Sequence, residues 1–360
     1  MISERQSVHG QWSSRWTFIM AATGAAVGLG NIWKFPYLTG EHGGSAFVLV
    51  YIICVAALGI PMMMAEVMLG RRGRQSPVNT MRTLAKEANA SQSWQLIGWS
   101  GTLAGMLILS YYSVIGGWTV AYIFKSAMGT FGGATGSFAT NTFQEFVGDP
   151  VTLGIWHTVF MVMTMFVVIR GVQGGLEKAV RYLMPTLFVL LLVLVGYATT
   201  TGFFMDGLAF LFKPDFSKLS GDSMLAAMGQ AFFSLSLGMG TIMIYGSYVP
   251  KGISIAQTSV FIAIADSAVA LIAGMAIFPI VFANSMEPGT GPSLIFETLP
   301  VAFGNMTGGI AFGTMFFILL LVAAWTSSIS LIEPAVTLLI ENYRMTRISA
   351  SIWCGIATWA

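Results

Sequence analysis

Charge is what this chain has least of. Aspartate, glutamate, lysine and arginine make up 9% of its 360 residues, against 55% hydrophobic residues, whereas a soluble domain carries about 25% charged residues. A soluble core cannot hide so much apolar surface, so most of the chain has a bilayer as its solvent. The net charge is only +2, which excludes the basic footprint of a nucleic-acid binder. Cysteine is nearly missing. Cys54 and Cys354 lie in apolar runs without paired spacing and read as buried free thiols rather than a disulfide or a metal site. No cleavable leader is evident, because the polar start runs into an apolar stretch at 16–20 with no small-residue cleavage site after it. Patterns for catalysis are missing as well. There is no nucleophile–histidine constellation, phosphate-cradling loop or pair of catalytic carboxylates. His42 and His157 lack metal-ligand spacing, and the chain does not read as an enzyme.

Long apolar runs are what it has in abundance. A helix crossing the hydrocarbon needs about 20 mostly apolar residues. Eight stretches qualify: 16–37, 44–69, 98–127, 153–170, 179–200, 225–248, 257–286 and 310–340. A ninth starts near 348 and meets the end of the sequence at 360, so the sequence is expected to be a truncated copy of a longer protein. With the amino terminus in the cytoplasm, the inner segments hold thirteen cations: Arg5, Arg15, Arg71, Arg72, Arg74, Arg82, Lys86, Arg170, Lys178, Arg181, Lys251, Arg344 and Arg347. The outer segments hold Lys125, Lys213 and Lys218, and Lys34 falls inside the first span. This bias fixes the orientation in the inner (plasma) membrane. The outer segment 128–151, rich in Gly, Thr and Ser, reads as a flexible loop. The outer segment 287–303 has Pro288 and Pro292, and then a stretch at 293–299 that suits a short helix over the mouth.

Helix breakers concentrate in two spans. The first contains Gly24, Gly28 and Gly30 before Asn31, and the sixth contains Ser234, Ser236, Gly238 and Gly240. Each glycine weakens a helix by about 1 kcal/mol relative to Ala. Unwound backbone survives at membrane depth only where it is buried in protein or lines a cavity. Its freed carbonyls then suit cations, and the exposed helix amino ends suit an anion. Close helix packing through small residues is the competing reading for either span alone. Breaks in spans one and six together favour a transport site at the midplane between two repeats.

At these residues the sequence resembles the bacterial branch of the neurotransmitter:sodium symporter family. The resemblance is carried by the run from Gly24 to Pro36 with Glu41-His42-Gly43-Gly44, by Gly59-Ile60-Pro61, by Glu66 to Gly70, and by Tyr111-Tyr112. It continues through Gly229-Gln230-Ala231-Phe232-Phe233 to Gly240 and in Thr326-Ser327-Ser328. It implies an all-α polytopic membrane protein with the leucine-transporter fold, forming one transmembrane domain over 1–360. Two inverted five-helix repeats would make it up, the first about 12–200, the second from about 222 and incomplete at 360. The implied activity is sodium-coupled import of a small neutral, apolar or aromatic amino acid by alternating access. No nucleic acid is implied as a partner.

The resemblance also assigns residues. Sodium site 1 would use the Ala26 carbonyl, Asn31, Ser234, Asp266 and the substrate carboxylate. Site 2 would use the carbonyls of Gly24, Val27 and Ala323 and the hydroxyls of Thr326 and Ser327. Oxygen ligands of this kind suit a hard cation, although Thr326 and Ser327 could instead bond back to helix carbonyls. The amides near Leu29 and Gly30, with the Tyr112 hydroxyl, would hold the substrate carboxylate. Carbonyls near Ala26 and Phe233 and the Ser236 hydroxyl would meet its amino group. Ile108, Tyr112, Phe233, Met239 and Leu331 would wall the side chain, with Ala25 and Ser328 beside it. Lys34, where the family usually has Arg, would form the outer gate with Gln230 and Phe233. Trp12, Ser247, Tyr248 and Glu341 would form the inner gate. His9 falls where the family's gating Arg sits, so either Arg5 substitutes or the latch weakens. Gly175 and Pro185 match a pattern for local unwinding in the fifth span, and Glu66 reads as a buried carboxyl supporting the first helix. Chloride is not expected, because Asp266 stands where chloride-dependent members have Asn and Ala270 offers no hydroxyl one turn on. A channel would need a continuous polar pore, and an enzyme a convergent acid, base or metal group; neither pattern is in the sequence.

Overall fold

In hydrocarbon every backbone N–H and C=O must find a partner within the protein, so apolar runs of this length fold as helices. The structure is a computed structural model, and it describes residues 5, 7–286, 291 and 293–360. Pro288 and Pro292, read as breakers of the outer segment, lie outside the described residues. Among the described residues six helices are long and apolar enough to cross a membrane: α3 (Ser45–Gly73), α5 (Gln92–Ala127), α7 (Pro150–Val168), α8 (Val172–Thr201), α12 (Ile255–Ala283) and α14 (Gly309–Tyr343). The first and sixth apolar runs are interrupted. The first is α1 (Arg15–Ala26), an irregular stretch, a π-turn over Gly30–Lys34 and α2 (Phe35–Glu41). The sixth is α10 (Gly221–Ser234), a six-residue break and α11 (Thr241–Ser247). The ninth run forms α15 (Arg347–Trp359).

The remaining helices lie between the spans: α4 (Pro77–Glu87), α6 (Gly136–Gly148), α9 (Phe204–Phe212) and α13 (Leu294–Gly304). The helix α13 realises the expected short helix of the outer segment. The segment 128–151 is corrected: it is not a loop throughout but contains the 13-residue α6. Thr135 caps α6 by accepting from the Phe138 amide. Ala139, Phe143 and Phe146 recur at helical spacing and are buried. Phe143 stacks on Phe296 with centroids 5.6 Å apart, and Phe146 meets Tyr122 at 5.9 Å. An apolar stripe seated on α5 and α13 thus overrides the loop-like composition.

The most buried of the six long spans is α14. It packs along α5, where a side chain on Gly105 would come within 3.0 Å of the Leu331 carbonyl. The crossing of α3 with α11 is a close one. A Cβ on Gly70 would fall inside the Met243 carbonyl, and one on Gly246 would lie 2.7 Å from the Val67 carbonyl. Backbone contact of this kind between membrane helices depends on small residues, and it clamps the second half of the broken sixth span to α3.

This packing makes a prediction. Gly70→Ala has no room and should destabilise the protein by about 1–3 kcal/mol, the usual cost of overpacking. Gly154→Ala on α7 meets nothing within 4 Å and should leave stability unchanged or slightly raised. Thermal melts of the detergent-purified protein, followed by loss of monodispersity, check this. Equal melting temperatures for the two variants would contradict the close contact.

Candidate functional site

The two breaks face each other. At the first, Val27 leaves helical geometry with φ −69° and ψ 104°. The carbonyls of Gly24 and Ala26, left without a next turn, accept no hydrogen bond among the described residues. At the second, Ser236 holds φ 54° and Gly240 holds φ 73°. The left-handed region is rare for a residue with a Cβ, and Ser236 is kept there by donating its hydroxyl to the Ala25 carbonyl at 2.9 Å. That bond ties one break to the other.

Beside them lies a wholly buried carboxylate, Asp266 of α12. Its Oδ2 accepts the Ser234 hydroxyl at 2.5 Å and the Tyr51 hydroxyl at 3.4 Å. Its Oδ1 accepts Asn31 Nδ2 at 2.8 Å. Asn31 Oδ1 accepts from the Gly28 amide at 3.1 Å, so the carboxamide turns its nitrogen, not the expected oxygen, toward Asp266. The structure therefore gathers Asn31, Ser234 and Asp266, as the resemblance implies. Tyr51 is an addition that nothing in the sequence marks.

The residues assigned to sodium site 2 also converge. Ser327 of α14 donates to the Ala25 carbonyl at 3.2 Å and the Val27 carbonyl at 3.4 Å, bridging to the broken helix. Thr326 bonds back to the Val322 and Ala323 carbonyls, both at 3.1 Å. Back-bonding leaves a hydroxyl its acceptor lone pairs, so it does not remove Thr326 as a cation ligand. Gly24 lies against Thr326, with a virtual Cβ 3.5 Å from the threonine Cβ. Carbonyl and hydroxyl oxygens without competing nitrogen donors fit a hard monovalent cation.

Between the breaks is a small cavity of about 20 Å³, room for about one water molecule. Nine of the residues assigned to substrate line it: Ala25, Ala26, Gly30, Ile108, Tyr112, Phe233, Ser236, Met239 and Leu331, joined by Gly28 and Ser327. Leu29 does not line it, but its amide donates to the Tyr112 hydroxyl at 3.0 Å. Ser328 does not line it either. It is fully buried, and its hydroxyl has no partner. Phe233 lies between this cavity and a vestibule of about 270 Å³ bounded also by Trp33, Lys34, Tyr111 and Ile115. The Lys34 ammonium sits 4.5 Å above the Phe233 ring, a cation–π contact. Gln230 donates to the Gly30 carbonyl at 2.7 Å.

The opposite side is sealed by a denser network. Trp12, almost fully buried, donates from its backbone to the Tyr248 carbonyl and from its ring to the Tyr245 carbonyl, both at 3.0 Å. His9 answers the question of the latch: its Nε2 lies 2.9 Å from Glu341. Arg5 pairs with Glu87 instead and does not substitute. Glu341 is further held by the Ser76 amide at 2.8 Å and by Asn79 at 2.7 Å. Ser247 contributes its carbonyl, which accepts from Arg74 at 2.9 Å, while its hydroxyl turns back to Ile244. A second latch went unrecognised in the sequence. Fully buried Glu333 accepts the Tyr248 hydroxyl at 2.8 Å and pairs with Arg347 at 2.6 Å. A lone acid within an apolar span was the available signal.

Two expectations change. Glu66 supports the sixth span, not the first helix, by accepting the Gly238 amide at 2.7 Å. The fifth span stays helical through Pro185 and opens only with a π-turn at Val172–Leu176. Its start is pinned by Glu177, which accepts from Ser13 and pairs with Arg181 at 3.3 Å.

Comparison with known proteins gives this geometry a context. The profile of the Sodium:neurotransmitter symporter family matches residues 9–147 and 141–358. An uncharacterised sodium-dependent transporter of Haemophilus influenzae is 38% identical over 342 residues, spanning 93% of this chain and 75% of that protein. The uncharacterised sodium-dependent transporter YhdH of Bacillus subtilis is 41% identical over 332 residues, spanning 92% and 72%. Among solved structures, MhsT in complex with L-phenylalanine superposes with a TM-score of 0.89 at 44% identity, over 97% of this chain and 79% of MhsT. The architecture is the leucine-transporter fold, and the chain belongs to the sodium:neurotransmitter symporter family of sodium-dependent membrane transporters.

Proposed function

We propose that this transporter imports a neutral amino acid with an apolar or aromatic side chain, coupled to two sodium ions and independent of chloride. The observation that carries the reading is the meeting of two broken spans around an apolar cavity lined in part by Ala26, together with a wholly buried carboxylate, Asp266, that accepts from both spans through Asn31 and Ser234. Breaks in spans one and six suit two inverted repeats, about 12–200 and from about 222, that rock around a fixed site. The distribution of cations supports a cytoplasmic amino terminus in the plasma membrane. The side sealed by Trp12 and Tyr248 then faces the cytoplasm.

In this reading the substrate carboxylate meets Tyr112. That hydroxyl already accepts the Leu29 amide and has its own proton to give. The amino group takes the Ser236 hydroxyl and nearby carbonyls. Ile108, Met239 and Leu331 give a charged side chain no partner, and burying one unpaired is costly. The cavity is small as it stands, so binding requires Phe233 to swing toward the vestibule. MhsT, whose fold matches, was solved with L-phenylalanine. Sodium at site 1 would be held by Ala26, Ser234, Asp266, the substrate carboxylate and Asn31, whose carboxamide turns over to present oxygen. Sodium at site 2 would be held by Gly24, Val27, Ala323, Thr326 and Ser327.

Three measurements test this. Proteoliposomes containing the protein should take up labelled leucine or phenylalanine only with an inward sodium gradient. Excess glutamate or lysine should compete at least tenfold less well than leucine, and equal competition would reject the pocket assignment. Replacing chloride with gluconate should leave that uptake intact. The Tyr51 and Ser234 hydroxyls already point at the Asp266 carboxylate, a fixed negative charge beside the first sodium site. Asp266→Asn removes that charge, and the sodium midpoint should rise about tenfold or more, as expected for loss of a charged ligand worth about 1.5–3 kcal/mol. Collapse of wild-type uptake without chloride would count against the assignment. The inner latch supplies the third test. His9→Arg gives Glu341 a permanently charged, forked partner, so maximal uptake should fall several-fold while equilibrium substrate affinity holds. A faster variant would show that the contact does not restrain opening.

A further inference from the structure

The seal around Trp12 contains one partner whose charge is not fixed. His9 stands on the chain ahead of α1 with its side chain 3% exposed, and its Nε2 lies 2.9 Å from Glu341 Oε1 on α14. The other contacts of Glu341 are neutral donors around the start of α4: the Ser76 amide at 2.8 Å, the Ser76 hydroxyl at 2.6 Å and the Asn79 carboxamide at 2.7 Å. A carboxylate met by donors throughout is the ionised, acceptor-only form, so Nε2 carries a proton toward it in either charge state of the ring. The second ring nitrogen takes or loses the titrating proton, and the bond to Glu341 survives both. What changes is the charge of the donor. The surroundings leave that charge to Glu341. Tyr248 approaches the imidazole edge to face, with centroids 6.3 Å apart, and its hydroxyl turns to Glu333, whose charge Arg347 answers. Arg74, at the end of α3, holds the Ser247 and Val249 carbonyls. Earlier on the segment of His9, Arg5 pairs with Glu87, as does Arg72. Further along it, Ser13 meets Glu177, which pairs with Arg181.

We propose that His9 makes this seal pH-sensitive: a proton taken up from the cytoplasm strengthens the His9–Glu341 contact and holds the face closed, and loss of the proton eases opening. The inference rests on the proposed reading that this face opens to the cytoplasm, and it does not depend on the substrate. An imidazole changes charge between about pH 5 and about pH 8, where a guanidinium cannot. Imidazolium and carboxylate attract while the seal is closed and part when it opens, so protons favour closure. A charge-assisted bond outweighs a neutral one by enough to shift an equilibrium about fivefold. The seal therefore loosens as the cytoplasm becomes alkaline.

Hydrogen–deuterium exchange reads the seal directly, because the Trp12 amide is bonded to the Tyr248 carbonyl while it is closed. Exchange over residues 8–14 is followed by mass spectrometry on the purified, substrate-free protein, which keeps the outcome separate from the transport assays. Wild type, His9→Gln and His9→Arg are compared at each pH, so the effect of pH on the exchange chemistry cancels. At about pH 5 wild type should exchange about fivefold more slowly than His9→Gln, and at about pH 8 the two should match. His9→Arg, permanently charged, should stay slow at both. A ratio of wild type to His9→Gln that does not change with pH overturns the proposal. So does His9→Arg exchanging as fast as His9→Gln, since charge at residue 9 would then not hold the seal.

Discussion

Everything at the centre of this molecule follows from one constraint: in hydrocarbon, a backbone that leaves the helix must still find partners. The first and sixth spans both leave it, at the same depth, and they settle part of the debt with each other. Ser236 gives its hydroxyl to the Ala25 carbonyl, Ser327 reaches that carbonyl and that of Val27, and Tyr112 receives the Leu29 amide. Glu66 receives the Gly238 amide. What remains is acceptor in excess: the Gly24 and Ala26 carbonyls, and one wholly buried carboxylate, Asp266, which is met only by the neutral donors Asn31, Ser234 and Tyr51. Surplus acceptors of this kind suit a mobile cation, which is why the proposed function places sodium there.

The same constraint explains the neighbours. Broken helices cannot position themselves, because each half is too short to be stable alone. Continuous spans must hold them. The crossing of α3 with α11 at Gly70 and Gly246 fixes one half-helix by backbone contact. The face of α14 bearing Ser327 fixes the other break through hydroxyls. A glycine or serine at these positions is therefore a matter of distance before chemistry.

Much of this is legible in the sequence, and what is not has identifiable causes. The spans could be counted because hydrocarbon thickness sets their length, and the two breaks because glycine and serine interrupt otherwise unbroken apolar runs. Gathering of nine assigned residues around one cavity was accessible only because the Gly24–Pro36 and Gly229–Gly240 runs resemble a known family; as isolated letters, Ile108 and Leu331 are ordinary core. The helix α6 was hidden because glycine, threonine and serine mask an apolar stripe of only Ala139, Phe143 and Phe146. The pairing of Glu333 with Arg347 bridges two helices across a loop, and no periodicity reports that. The orientation of the Asn31 carboxamide is a side-chain torsion, which no sequence pattern encodes.

The two seals are unequal, and the inequality has a direction. The vestibule side is closed by one ammonium over one aromatic ring and by one amide-to-carbonyl bond. A cation–π contact is worth about 0.5–2 kcal/mol and a neutral hydrogen bond about 0.5–1.5 kcal/mol net. The other side is closed by the Glu333–Arg347 pair with Tyr248, by Glu341 with its ring of donors, and by Arg74 on the carbonyls behind Tyr248. Bonds to charged groups contribute about 1.5–3 kcal/mol each, and several must break together before that side opens. Thermal motion therefore opens the vestibule side first. In the proposed function, the opposite seal yields only when binding at the centre supplies a comparable free energy, with sodium held by the orphaned carbonyls and Asp266. Under that proposal, coupling between ion and substrate is a property of the seals as much as of the site, since a weaker network on that side would let the protein cycle without its load.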